Sequence, residues 1–360
     1  MKKTSASVKK LTDMRKIATH LFTPAFSCLL ITMPFVSFSQ SPGKPDPRTS
    51  ILSIAYFIES ANNSVNSLSS LLKKDNYRNK ITTLNNPTNN ELGFSLKNEI
   101  LAALKPILDK TRKTDPKKFR DVIENFLSNP EENGISSVKK YLPALGIFST
   151  VLSLVGNLVI TERTITREDL NEFTGKIQQY FTQYEILNEI NHQFGSQVQQ
   201  LLEQSEEIKT DLKEFLADCI TVMNRGISKA SLRELPVEVL VQQYYDPQKL
   251  LNHLDTAQLD TDRPLFPPDA PTSIKLLTSG IKRLQKEFET LYRENHRQLR
   301  ELITSLKTTI PHIDQQQLDR TSTDIEKLYL DSRHADIINL NISQVDERMN
   351  TACRVILTGR

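Results

Sequence analysis

Residues 166–225 read TREDLNEFTGKIQQYFTQYEILNEINHQFGSQVQQLLEQSEEIKTDLKEFLADCITVMNR. Within them Phe173, Ile177, Tyr180, Tyr184, Leu187, Asn191, Phe194, Val198, Leu201, Ser205, Ile208, Leu212, Phe215, Cys219 and Val222 follow one another at alternating steps of four and three. That is the seam spacing of a coiled coil, and the polar Asn191 and Ser205 suit positions that fix register. A continuous helix over 166–225 is about 90 Å long at 1.5 Å per residue. Such a rod does not fit inside a compact globule; it must lie along other long helices. Thr166 with Asp169 three residues on predicts its N-cap, although a full capping box carries Glu or Gln there. Arg225-Gly226 predicts its end.

Working outward, a second long helix is expected from about Thr272, through Ile274, Leu277, Ile281, Leu284, Phe288, Leu291, Leu299, Leu302, Leu306 and Ile310, until Pro311 stops it. The two rods are natural antiparallel neighbours. On the N-terminal side Ile51, Ile54, Ala55, Ile58, Ala61, Val65, Leu68 and Leu72 mark an amphipathic helix over Thr49–Lys74. An Asn-rich polar break follows, then helix over 91–112 with a bend at Pro106. A short helix starts at Asp115-Pro116, with Phe119, Val122, Ile123 and Phe126 on its apolar face. Shorter pieces are expected at 235–254, a proline-rich linker at 255–271, and two or three short helices over 315–358. The fold class is therefore all-α: an elongated bundle of long, coiled-coil-like antiparallel helices with a buried apolar helix. The bundle spans 49–254, and 272–358 pack on the same bundle.

Lys2, Lys3, Lys9, Lys10, Arg15 and Lys16 precede an apolar stretch from about Ala25 to Phe38, with small residues at Ser37 and Ser39. This predicts a signal peptide over 1–39 cleaved near Ser39, with a retained anchor as the alternative, and an extended lead-in over 40–48. The product would be periplasmic, cell-surface or secreted. The whole chain has 46 Lys+Arg and 43 Asp+Glu. Without the leader 40 and 42 remain, a near-neutral balance that gives no reason to expect nucleic acid. Ten glycines and no tryptophan, with Leu, Glu, Gln, Lys and Ile abundant, suit long helices.

Little in the chain points to catalysis. No HExxH, CxxC, Walker loop, GxSxG or GxGxxG occurs. Glu189 and His192 share the Glu-x-x-His spacing of di-iron bundles, which needs two such pairs and two further carboxylates. Asp331 and His334 only approximate a second pair, so no metal and no cofactor are expected. Cys219 and Cys353 survive processing. An oxidising compartment allows a disulfide between them, and two buried free thiols are the alternative.

Residues 141–160, YLPALGIFSTVLSLVGNLVI, carry no charge. Two readings stand: a central helix wrapped by others, or a membrane segment of about 27 Å over 143–160. The candidate membrane residues are Leu145, Ile147, Phe148, Val151, Leu152, Leu154, Val155 and Leu158. Gly146, Ser149, Ser153 and Gly156 supply the small residues that let membrane helices approach. Lys97 to Arg120 hold eight basic and three acidic residues, whereas Glu162 to Asp218 hold five and twelve. These are complementary faces of one bundle, or else Lys117, Lys118, Lys139 and Lys140 meet lipid headgroups.

The leader, the apolar segment and the long helices at 166–225 and 272–310 together resemble the α-helical pore-forming toxins of the cytolysin A and haemolysin BL type. That resemblance covers organisation and implies an exported rod whose sheltered apolar segment enters membranes after a rearrangement. The rival expectation is a non-enzymatic scaffold that binds a protein partner, or itself, through its long helices.

Overall fold

The computed structural model describes residues 46–74, 76–128, 144–256, 264–333 and 335–358. The expected leader, most of the lead-in, Lys139, Lys140 and His334 lie outside the described residues. In chain order the helices are α1 (Pro47–Lys73), α2 (Asn76–Leu84), α3 (Leu96–Leu108), α4 (Pro116–Ser128), α5 (Ala144–Thr161), α6 (Arg167–Met223), α7 (Lys229–Arg233), α8 (Val237–Leu240), α9 (Pro247–Thr256), α10 (Ala270–Thr309), α11 (Gln315–Arg333) and α12 (Ala335–Thr358). A single π-turn, Val241–Tyr245, joins α8 to α9. No strand occurs among the described residues, and the fold is an all-α bundle.

The decisive stretch folds as one 57-residue helix, about 85 Å long. Thr166 accepts from the Asp169 N–H, and the Asp169 carboxylate accepts from the Thr166 N–H. The capping box therefore closes with aspartate in the place of glutamate. Every seam residue from Phe173 to Cys219 is buried; only Val222 at the end is partly open. At the polar seam positions, Ser205 Oγ donates to Leu202 O at 2.8 Å, and Asn191 is 3 % exposed.

Contacts between helices then give the topology. Partners of α6 descend as the N-terminal chain rises: Lys73 to Glu206, the Tyr77 ring to Phe194, Asn85 to Asn188, the Phe94 ring to Tyr180. So α1, α2 and α3 form one segmented rod antiparallel to α6. The α10 rod runs antiparallel to α6 as well, meeting it at Tyr292–Phe194 and at Gly280–Ile208. The fourth rod, α11 with α12, returns along α10 through Lys307–Asp319 and Lys282–Asp346, both 2.6 Å. It closes on α1 through Asn341–Ser67 and through Arg348 over the Tyr56 ring. Four rods alternating in direction make an up-down-up-down four-helix bundle.

The α2 helix departs from the sequence reading, which takes 75–90 as a polar break. It buries Tyr77, Ile81 and Leu84, one apolar residue per turn. Those three are enough when a neighbour stands ready to cover them, because tertiary packing supplies most helical stability. Val122 also departs, lying half exposed on α4 while Ile123 and Phe126 are buried. In the loop between α2 and α3, Gly93 holds φ +78°, and its carbonyl accepts from the N–H of Asp314, in the α10–α11 turn, at 2.9 Å. A Cβ there would come within 2.7 Å of Asp314 O, so the turn needs glycine.

One layer of the core is built from all four rods. Tyr77, Phe194, Tyr292 and Tyr329 lie with ring centroids 5.2–6.1 Å apart. Beside them the His296 ring stacks on Tyr329 at 4.0 Å, and Tyr77 Oη donates to Asn295 Oδ1 at 2.8 Å. His296 Nε2 lies 3.0 Å from a Glu326 carboxylate oxygen. Burial outweighs that carboxylate, and Arg300 opposes it too, so the imidazole is held below its ordinary 6.5. The folded state then prefers the neutral ring, and its contribution is full above about pH 6.5. It is lost as pH falls from there through the lower folded value. Denaturation midpoints are expected to fall between about pH 7.5 and about pH 5. His296→Gln is expected to flatten that fall, whereas an unchanged slope would remove His296 as its source.

Candidate functional site

The uncharged segment forms α5, which lies antiparallel on the N-terminal third of α6, with the Phe148 ring 4.7 Å from that of Phe181. Residues 141–143 and the Leu145 side chain lie outside the described residues. Ile147, Val151, Val155 and Leu158 are buried in a single stripe at helical spacing. Phe148, Leu152 and Leu154 flank that stripe, each partly buried. Ser149, Ser153 and Asn157 line the exposed side, and Ile160 in the last turn is 84 % exposed.

One expectation changes as a result. The segment is not wrapped on every side: it is a flank helix, covered by α6 along one stripe. Ser149 and Ser153 are exposed and a Cβ at Gly156 would meet open space, so these small residues are not packed against another helix among the described residues. No helix among the described residues is long and apolar enough to cross a membrane.

The end of α5 is clasped to the loop between α3 and α4. Glu162 is 1 % exposed, and its carboxylate accepts the N–H groups of Arg112 at 3.0 Å, Lys113 at 2.9 Å and Thr114 at 2.6 Å. The Arg112 N–H, then the bonds from Thr114 and Lys113, overcome its desolvation and hold the carboxyl at about 2. Successive N–H groups converging on one anion form a backbone nest. Thr164 Oγ1 donates to Lys110 O at 2.6 Å, and Lys110 Nζ meets Asp169 at 2.5 Å. Lys110, first among its influences, also lowers the Asp169 carboxyl.

This clasp partly realises the complementary faces expected from the charge runs. Other carboxylates of α6 pair elsewhere: Glu206 with Lys73, Glu214 with Arg233 and Lys229, Asp218 with Lys229. Lys117 and Lys118 are exposed in the first turn of α4, and Asp115 Oδ1 accepts from both their backbone N–H groups. The Glu162 nest escapes sequence reading because nothing in residue spacing links it to a loop fifty positions earlier.

Elsewhere the chemistry is sparse. Glu189 and His192 are both exposed on α6, with Glu189 accepting from Gln193 Nε2 at 2.6 Å. No group of three metal-ligating side chains occurs among the described residues. Cys219 and Cys353 are free and buried rather than bonded to one another, and burial raises both thiols. A cavity of about 410 Å³ at the far end has Ile220, Met223, Tyr245 and Leu250 as its apolar walls. There Tyr245 Oη donates to Met223 Sδ at 3.1 Å.

Comparison with protein-family models, with curated proteins and with solved structures returned no match.

Proposed function

We propose that this chain is an exported, non-enzymatic helical bundle that acts by contact, laying its α5 flank on a lipid surface. The observation that carries the reading is the one-sided burial of α5. An 18-residue helix without a charge lies on the outside of the bundle, and the aliphatic Ile160 stands 84 % exposed at its end. Its outer line of Ser149, Ser153 and Asn157 suits a helix lying in the headgroup plane better than one surrounded by hydrocarbon. Contact with the membrane surface, rather than passage through it, is therefore the mode proposed.

Co-sedimentation of the processed chain with phospholipid vesicles tests this, with dye release measured in parallel. Vesicle association without dye release is expected. Ile160→Ser is expected to weaken association several-fold, by removal of one buried aliphatic side chain. No association with vesicles of any composition, by a normally folded chain, would exclude the reading. Dye release would replace surface contact with insertion.

A second reading has one observation of its own. The groove between the unbroken rods α6 and α10, about 490 Å³, has Leu201 and Leu291 among its lining, with Arg283, Lys286 and Glu294 beside them. An amphipathic helix from a protein partner would fit such a groove, with its polar residues meeting Arg283, Lys286 and Glu294.

A further inference from the structure

We propose that the lipid surface is anionic, and that Arg112, Lys113 and Arg163 bind its phosphates beside the exposed Ile160. This rests on the reading of α5 as a lipid-contacting flank. The argument turns on which cations at this end of the bundle are already engaged. Lys110 is held by Asp169 at 2.5 Å, and Arg120 by Glu124 at 3.5 Å. Arg167, Lys117 and Lys118 are exposed without an ion pair among the described residues too, but they lie outside the clasped residues 110–114 and 160–164.

Arg112 and Lys113 differ from these. They reach Glu162 through their backbone N–H groups, not through their side chains. The buried carboxylate is thereby satisfied by peptide dipoles, and the guanidinium and ammonium groups of the same residues are not consumed. Both side chains are exposed, as is Arg163, and none of the three enters an ion pair among the described residues. Asp109 is the exposed carboxylate that remains on this loop, and Asp115 is occupied by the N–H groups of Lys117 and Lys118.

The clasp also fixes where these cations stand. Arg163 follows Glu162 directly, and Ile160 precedes it by two residues. The Glu162 nest and the Thr164–Lys110 bond pin residues 110–114 against that same turn. Three unengaged cations therefore gather round a protruding aliphatic residue at the end of an uncharged helix. An acidic protein would match the cations but would leave the apolar flank beside them uncovered. A neutral bilayer would cover the flank and leave the cations unmatched. An anionic bilayer satisfies both, with each basic side chain near such a surface contributing about fivefold in affinity.

The test uses the processed chain and vesicles of phosphatidylcholine alone or with phosphatidylglycerol. The variant is Arg112→Gln/Lys113→Gln/Arg163→Gln, compared with Arg320→Gln/Lys327→Gln/Arg354→Gln, which removes the same charge from exposed positions elsewhere. Both should fold normally, because the first retains the backbone N–H groups of the clasp; circular dichroism checks this. Wild type should prefer the anionic vesicles, and the first variant should lose on the order of 100-fold in affinity for them. The second should lose much less, and water-soluble glycerol phosphate should not compete. If both variants bind anionic vesicles equally, or neutral vesicles bind wild type as well, the headgroup assignment falls while the lipid reading stands. Competition by glycerol phosphate would make this a site for free phosphate and overturn the assignment. Failure of wild type to bind any vesicle removes both.

Discussion

Tyr292→Ala is expected to cost about 3–5 kcal/mol of unfolding free energy, the range for removing a buried aromatic ring from a core. Tyr292 is 1 % exposed and touches rings from three directions: Tyr77 at 5.6 Å, Phe194 at 5.2 Å and Phe288 at 4.4 Å. The cavity left behind would open at a level where all four rods contribute an aromatic ring. None of these rings can move far into the space, since each is anchored on a different helix. Urea unfolding followed by circular dichroism measures the effect. Leu276→Ala on the same helix, where the side chain is 68 % exposed, should change stability by less than about 0.5 kcal/mol. Equal shifts for the two substitutions would mean that the aromatic layer does not hold the bundle together.

Glu162→Gln should be the most disruptive single change at the α5 end. Glutamine keeps the shape but presents one carbonyl oxygen where two carboxylate oxygens accept from Arg112, Lys113 and Thr114. The loss should appear as early proteolysis around residues 110–114 and 160–166, ahead of global unfolding. The pH dependence has a definite sign. A carboxyl lowered from 4.5 to about 2 on folding contributes stability that is full above 4.5. That stability is lost as pH falls through about 2. Wild type should therefore keep the clasp at mildly acidic pH and release it only in strong acid, whereas the variant should show no such step. Proteolysis of the two proteins at the same rate near neutral pH would show that the nest is not a structural clasp.

How far the sequence carries depends on the range of the interaction. The α6 seam is legible because each position is decided by the local four-three spacing, and α10 is legible for the same reason. Asp169 closing the capping box is nearly legible, since the short side chain still spans three residues. The α2 helix is hidden because Tyr77, Ile81 and Leu84 are too few to announce themselves without the neighbouring rods. For α5, the count of apolar residues suggests enclosure on all sides. The decisive detail is Ser149, Ser153 and Asn157 at successive turns, a thin polar line that marks the outer face. The Glu162 nest is beyond reach, because its donors are backbone groups and any residue type carries them.

The rods of the bundle are not equally continuous. The N-terminal rod is interrupted where Lys74 leaves helical geometry between α1 and α2, and again between Leu84 and Leu96. Beside it α6 runs through 57 residues and α10 through 40 without a break. In mechanical terms the bundle is a beam with one jointed rod set against a solid pair. Its bending stiffness is unequal in different planes, and it should yield by opening or closing the jointed side about the α6–α10 pair. A force applied at the α5 end would then reach the far end as a bend in a preset direction, with α6 as the spine.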